Sequence, residues 1–237
     1  MEKVNKIMEY TNDQLNDLTY ELALKYDTRK FSQYYLSLLK SKHILFFAIC
    51  QNDDYNSRII KIDLFLNSFT IYYTVNALFF NDDTMHKIYI SKGSFDLEYQ
   101  LPQIIYSSLI SMVLNTLLKV LSLSNNRIIK FKQDKSKINI DKEGEEFENI
   151  LKIKFVLYFI ISFILLLFFW YYVSMFGAIY RNTQYHLLKD TLISFGLSLC
   201  YPFVIYLFPG CFRIPALSDK KENKKYSYNF SKFLQII

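Results

Sequence analysis

The stretch from Leu151 to Leu217 constrains this chain more than any other part of it. Between Phe155 and Gly177 it carries no charge and no proline, a run long enough to cross a bilayer core as a helix. A polar turn, Tyr180 to Asp190, separates it from a second apolar run, Thr191 to Pro209. Lysines precede the pair, and arginine and lysines follow it. The pattern predicts a membrane hairpin.

Bulk composition does not decide the matter, because 51% hydrophobic and 21% charged residues also suit a soluble domain. Distribution decides it. The apolar residues fall into four long runs, with the charges between them. A net charge of +6 invites a nucleic-acid reading. The lysines, however, flank apolar runs instead of lining one face, which points to membrane-side flanks and excludes nucleic acid as a partner.

The predicted fold class is an all-α membrane protein of four transmembrane helices, arranged as two antiparallel hairpins with an N-terminal interfacial helical segment. Residues 1–62 form that segment, 63–210 the transmembrane domain and 211–237 a basic cytosolic tail. The spans lie at about 63–80, 101–123, 155–177 and 191–209, and 124–154 is a charged linker containing EGEEFE. That linker is expected to be exposed and partly disordered. In the N-terminal segment, Thr11 with Gln14 forms a capping box. Phe31, Tyr34, Tyr35, Leu38 and Leu39 recur at helical spacing beside Arg29, Lys30, Lys40 and Lys42. This fits a helix in the headgroup region with its cations outward, and equally a soluble helix packed on a neighbour. The apolar patch Ile44 to Ile49 is too short to span. It reads as a shallow re-entrant, as a helix buried against the bundle, or as part of a fifth span. The first thirty residues lack a signal-type apolar segment, so the first span is expected to serve as the targeting signal.

The first span is the least apolar. Asn67, Thr70, Thr74 and Asn76 lie inside it and are expected to turn toward other helices. Asn67, Thr74 and Asn76, with the small pairs Ser107/Ser111 and Ser194/Ser198, are the candidate helix-packing residues. Pro102 is expected in the first turn of the second span. Pro202 should kink the fourth, and Pro209-Gly210 should end it. Lys and Arg number nine up to residue 61, two in 81–98, eight in 124–154, two in 178–190 and six from 211 on, with Lys119 near a helix end. Alternate segments therefore hold 23 against 4, which predicts that both termini and the linker are cytosolic. The glycosylation pattern Asn229-Phe230-Ser231 then lies on the cytosolic tail and should be silent.

No catalytic motif stands out. His43, His86 and His186 are far apart, and Cys50, Cys200 and Cys211 have no metal-ligand spacing. Cys200 reads as a small core residue. Asp82 and Asp83, with Asn81 and His86 nearby, are a candidate weak calcium site, since hard cations take clustered carboxylate and carbonyl oxygens. A solvated loop is the commoner use of such residues. No other cofactor is expected. Lys220, Lys221, Lys224 and Lys225 are candidates for binding anionic lipid, which makes membrane lipids the expected partners together with other membrane subunits.

The order of elements carries a resemblance. The basic aromatic segment RKFSQYYLSLLKSKH precedes a span ending Asn76-Ala77-Leu78-Phe79-Phe80 and an outward loop. A Ser-rich second span, a third carrying Trp170-Tyr171-Tyr172 and a fourth opening Lys-Asp-Thr-Leu-Ile-Ser-Phe follow. Over roughly residues 30 to 217 this resembles the membrane block that follows the cytosolic PLAT domain in receptor-like polycystins, and also uncharacterised multi-pass proteins of protists. The resemblance rests on order and hydropathy. It implies a helical scaffold beside a channel core, and no functional residue is transferred from it. The functional expectation is a non-catalytic scaffold or accessory subunit of a cation-channel complex. The alternative is an oligomeric ion channel or transporter in its own right.

Overall fold

The computed structural model describes residues 10–50, 54–125, 127–128, 131, 140–218 and 224–235. Among them the structure is all-helical, with no strand. The helices are α1 (Asn12–Asp17), α2 (Tyr20–Tyr26), α3 (Phe31–Lys42), α4 (Ile44–Ile49), α5 (Arg58–Leu78), α6 (Asp82–Ile90), α7 (Leu97–Ser122), α8 (Ile140–Ile179), α9 (Gln184–Ile205), α10 (Leu207–Ser218) and α11 (Lys225–Leu234). Three stretches are long and apolar enough to cross a membrane: Leu97–Ser122, Lys142–Ile179 and Arg181–Ser218, with mean hydropathies of 1.7, 2.5 and 1.8. The chain divides into two compact units, residues 55–198 and residues 1–54 with 199–237.

The unit 55–198 is organised around α5. Ser57 caps it, its side chain accepting from the Ile59 amide. Thirteen of its 21 residues are buried, and it packs chiefly on α7 and α8. Mean polarity keeps α5 off the set of apolar helices, yet its asparagines and threonines point inward, as the sequence pattern anticipates. The helices around it are the reverse case. In the most apolar window of Lys142–Ile179 only 11% of the residues are buried, and Phe163, Ile164, Leu167 and Phe168 are all exposed. Phe195 of α9 seats its ring against Phe65, Phe69 and Tyr72 of α5.

Several boundaries differ from the sequence expectation. The acidic stretch 81–98 contains α6, which Asn81 caps through the Thr84 amide. Its Asp82 and Asp83 lie in the first turn, where the helix dipole favours acids. The helix closes on two left-handed residues: Lys92, at φ 50, donates its amide to Tyr89 O, and Gly93, at φ +71, donates to Ile88 O, the usual left-handed helix end. A Cβ there would also lie 2.1 Å from His186 Nδ1, so both conformation and space require glycine. The second span starts earlier than its apolar run, because Asp96 caps it through the Tyr99 amide. Pro102 is therefore inside α7, past its first turn. In the charged linker, Asp141 to Lys154 belong to α8. Glu and Lys are good helix formers, and Glu148 with Lys152 forms an i,i+4 pair at 2.8 Å.

The fourth apolar run is broken at Tyr206, not at Pro209-Gly210. Pro202 sits inside α9, and the Tyr206 amide still donates to Pro202 O at 2.9 Å. It is Pro209 that has no amide hydrogen for the Ile205 carbonyl and crowds it with its ring, so α9 ends at Ile205. Pro209 falls in the first turn of α10, where a missing donor costs nothing, so α10 runs on to Ser218. Cys200, expected in the packing, is exposed.

The unit formed by 1–54 and 199–237 joins the two ends of the chain. The Thr11–Gln14 capping box closes α1, with both bonds formed, at 3.0 and 3.3 Å. Tyr34, Leu38 and Leu39 of α3 share a core with Tyr206. Leu18, Tyr20 and Ala23 share another with Ala216 and Tyr228. Ile44–Ile49 is a short helix, α4, with Phe47 and Ala48 buried.

Candidate functional site

The polar groups buried around α5 are the strongest site candidate in the unit 55–198, because uncompensated polar groups among apolar helices are costly. They form three clusters. At the C-terminal end of α5, Asn76 is fully buried. It donates from Nδ2 to Thr191 Oγ1 of α9 at 3.0 Å. Its Oδ1 accepts from Gln103 Nε2 of α7 at 3.0 Å and from Ser107 Oγ at 3.3 Å. One asparagine thus ties three helices together. Nearby, Gln100 Nε2 donates to Asp190 Oδ2 at 2.9 Å, and Asp190 is itself fully buried. Midway along α5, Asn115 Nδ2 donates to Ser68 Oγ at 2.9 Å. Toward the N-terminal end, Asn67 Nδ2 donates to Ser162 Oγ of α8 at 2.7 Å, and Ser162 Oγ donates to Asp63 Oδ2 at 3.0 Å.

The other residues singled out from sequence divide in two. Ser107, Ser111 and Ser194 are buried, and Ser107 reaches another helix. Thr74 bonds back to Thr70 O of its own helix, and Ser198 to Phe195 O. Asp82 and Asp83 are exposed. Asp82 accepts from the Tyr180 hydroxyl, a bond that pushes the phenol above its usual pKa. A cavity of about 260 Å³ opens there, lined by Asp82, His86, Tyr180 and Arg181 among others. Among the described residues, no three His, Cys, Asp or Glu side chains gather to hold a metal. The calcium reading therefore rests on the aspartate pair alone. Of the basic tail, Lys220 and Lys221 lie outside the described residues. Lys225 Nζ meets Glu21 Oε1 at 2.7 Å, with both side chains exposed, and Lys224 is half-buried.

Sequence reasoning missed the charged core of the other unit. Arg213 is fully buried. Its Nε and Nη2 donate to Asp27 Oδ2 at 3.1 and 2.8 Å. Nη1 and Nη2 also donate to Asn16 O and Leu15 O, at 3.3 and 2.6 Å. Its guanidinium carbon lies 5.0 and 4.7 Å from the ring centres of Tyr34 and Tyr228, where cation–π attraction is strongest once water is excluded. Arg29 holds the other side of Asp27, at 2.8 Å, so it is not an outward headgroup cation. Burial alone would raise the Asp27 carboxyl, but the hydrogen bond and charge of Arg29 and the charge of Arg213 outweigh it. They hold the group below its ordinary pKa. The Leu15, Asn16, Asp17 and Leu18 carbonyls are left over where α1 ends. Arg213, Lys232 and Tyr228 supply the donors they need.

Compared with protein-family models, with curated proteins and with solved structures, the chain matches none.

Proposed function

We propose that this integral membrane protein is a non-catalytic scaffold, an accessory subunit of a cation-channel complex. In this reading α5, α7, α8 and α9 cross the bilayer as two antiparallel hairpins, with both termini cytosolic. The observation that carries it is the inversion of polarity around α5. The least apolar of these four helices is the one its neighbours cover, while α7 and α8 turn Val113, Leu117, Phe163 and Leu167 outward. Such an exposed apolar belt is far beyond what a soluble monomer carries, and lipid is the environment that suits it.

The lysine and arginine distribution, 23 against 4 across alternate segments, supports the orientation. The resemblance to the polycystin membrane block supports the channel-complex setting. The buried amides and hydroxyls bond helix to helix, which is scaffold behaviour more than pore lining. Reconstitution of the purified chain into liposomes tests this reading. Cation flux at the level of empty vesicles is expected, together with a native-membrane complex much larger than the 28.4 kDa chain on native gels. Flux from the chain alone would overturn the scaffold reading in favour of a channel or transporter.

A further inference from the structure

The contact between α5 and α8 has a chemistry that helix packing does not use up. Asp63 and Asn67 are four residues apart on α5, and Tyr158 and Ser162 are four apart on α8, so each pair shares a helix face. Ser162 Oγ links the pairs, at 3.0 Å from Asp63 Oδ2 and 2.7 Å from Asn67 Nδ2. Asn67 and Tyr158 are fully buried, and Asn67 Oδ1 has no hydrogen-bond partner. The Tyr158 hydroxyl donates toward the Asp63 carboxylate. Lys154, one turn before it on α8, sends its Nζ to Leu123 O and Ser124 Oγ, at 2.6 and 2.9 Å.

We infer that Asp63, Asn67, Tyr158 and Ser162 form a binding site for a small monovalent cation of the sodium class. The donors are all oxygens, namely carboxylate, amide carbonyl, phenol and hydroxyl, and that set selects a hard cation. It contains one formal negative charge. In a low-dielectric interior one carboxylate balances one positive charge, whereas a divalent ion would leave a charge uncompensated. Ligation would also satisfy the buried Asn67 Oδ1, whose isolation otherwise costs free energy. The site lies within one unit and does not depend on the scaffold reading.

Thermal melting of the full-length protein in detergent tests this, in sodium, potassium or choline chloride at equal ionic strength. Sodium at about ten times its dissociation constant should raise Tm by about 3–6 °C over choline, with a saturable concentration dependence. Asp63→Asn should abolish the rise, while Glu148→Gln, at an exposed ion pair on the same helix as Tyr158, should keep it. Should Asp63→Asn fail to fold, Tyr158→Phe removes one ligand oxygen but preserves packing. It should shift the sodium midpoint about tenfold upward. Equal melting in sodium and choline, or an unchanged sodium midpoint in Tyr158→Phe, would overturn the assignment. So would a rise in potassium with the same midpoint as in sodium.

Discussion

Removal of Arg213 is the sharpest perturbation of the unit that joins the chain ends. Arg213→Ala deletes two charge-assisted bonds to Asp27 and strips donors from the Leu15 and Asn16 carbonyls. Breaking a buried ion pair by deleting one partner costs about 3–5 kcal/mol. Here Arg29 still neutralises Asp27 through bonds of 2.8 and 2.9 Å, so the lower end, about 3 kcal/mol, applies. Arg213→Lys restores the charge but not the fork geometry or the stacking between Tyr34 and Tyr228. It should recover only part of the loss, leaving about 1–2 kcal/mol. Amide hydrogen exchange followed by mass spectrometry reads this directly. In the alanine variant, exchange in α1, α3 and α11 should quicken by about two orders of magnitude, since each 1.4 kcal/mol is a factor of ten. Amides of α5 serve as the internal reference. If exchange in α1 and α11 changes by less than about threefold, the guanidinium is not what holds the two chain ends together.

Other outcomes follow from named contacts. Asn76→Ala severs the bonds to Thr191, Gln103 and Ser107 at once and should cost about 2–4 kcal/mol, measured by thermal melting in detergent. Ser107→Leu with Ser111→Leu forces bulk into a buried face and should cost more stability than Asn67→Ala; equal melting temperatures would mean that the serine face of α7 has room to spare. Gly210→Ala places a Cβ 2.6 Å from Phe31 Cε2 and should lower the stability of the unit containing α10. The depressed Asp27 pKa contributes stability that is complete above the unfolded carboxylate value and lost as pH falls through the lower, folded value. Protection of α1 and α11 should therefore weaken on acidification into the carboxylate range, and Asp27→Asn should flatten that dependence.

The features legible in the sequence are those that local pattern controls. The chargeless run 155–177 announced α8, Thr11 and Gln14 announced a cap, and the asparagines and threonines of residues 67–76 announced an inward face. Positions set by capping or by backbone breaks were harder to read. Asn81 caps a helix inside what hydropathy reads as a loop, Asp96 starts one earlier than hydropathy alone suggests, and Pro209 ends one helix at Ile205 while sitting in the first turn of the next. The Arg213–Asp27 pair could not be read at all, because 186 residues separate its members and both looked like ordinary surface charge. Ser162 and Tyr158 were hidden for a different reason. In a run dominated by Phe, Ile and Leu, nothing local distinguishes a hydroxyl that meets a carboxylate from one that faces its own backbone.

The central claim is that α5, too polar to count among the apolar helices, nonetheless crosses the membrane because its polar atoms are turned inward. Its most direct test is the parity of crossings. Epitope tags at each terminus, probed with protease in sealed vesicles of known orientation, report which side each end occupies. Four crossings put both tags on the cytosolic side, cleaved together from outside inside-out vesicles and protected together in right-side-out ones. One tag cleaved and the other protected would mean an odd number of crossings, with α5 lying outside the bilayer or α4 joining a fifth span, and would contradict the account.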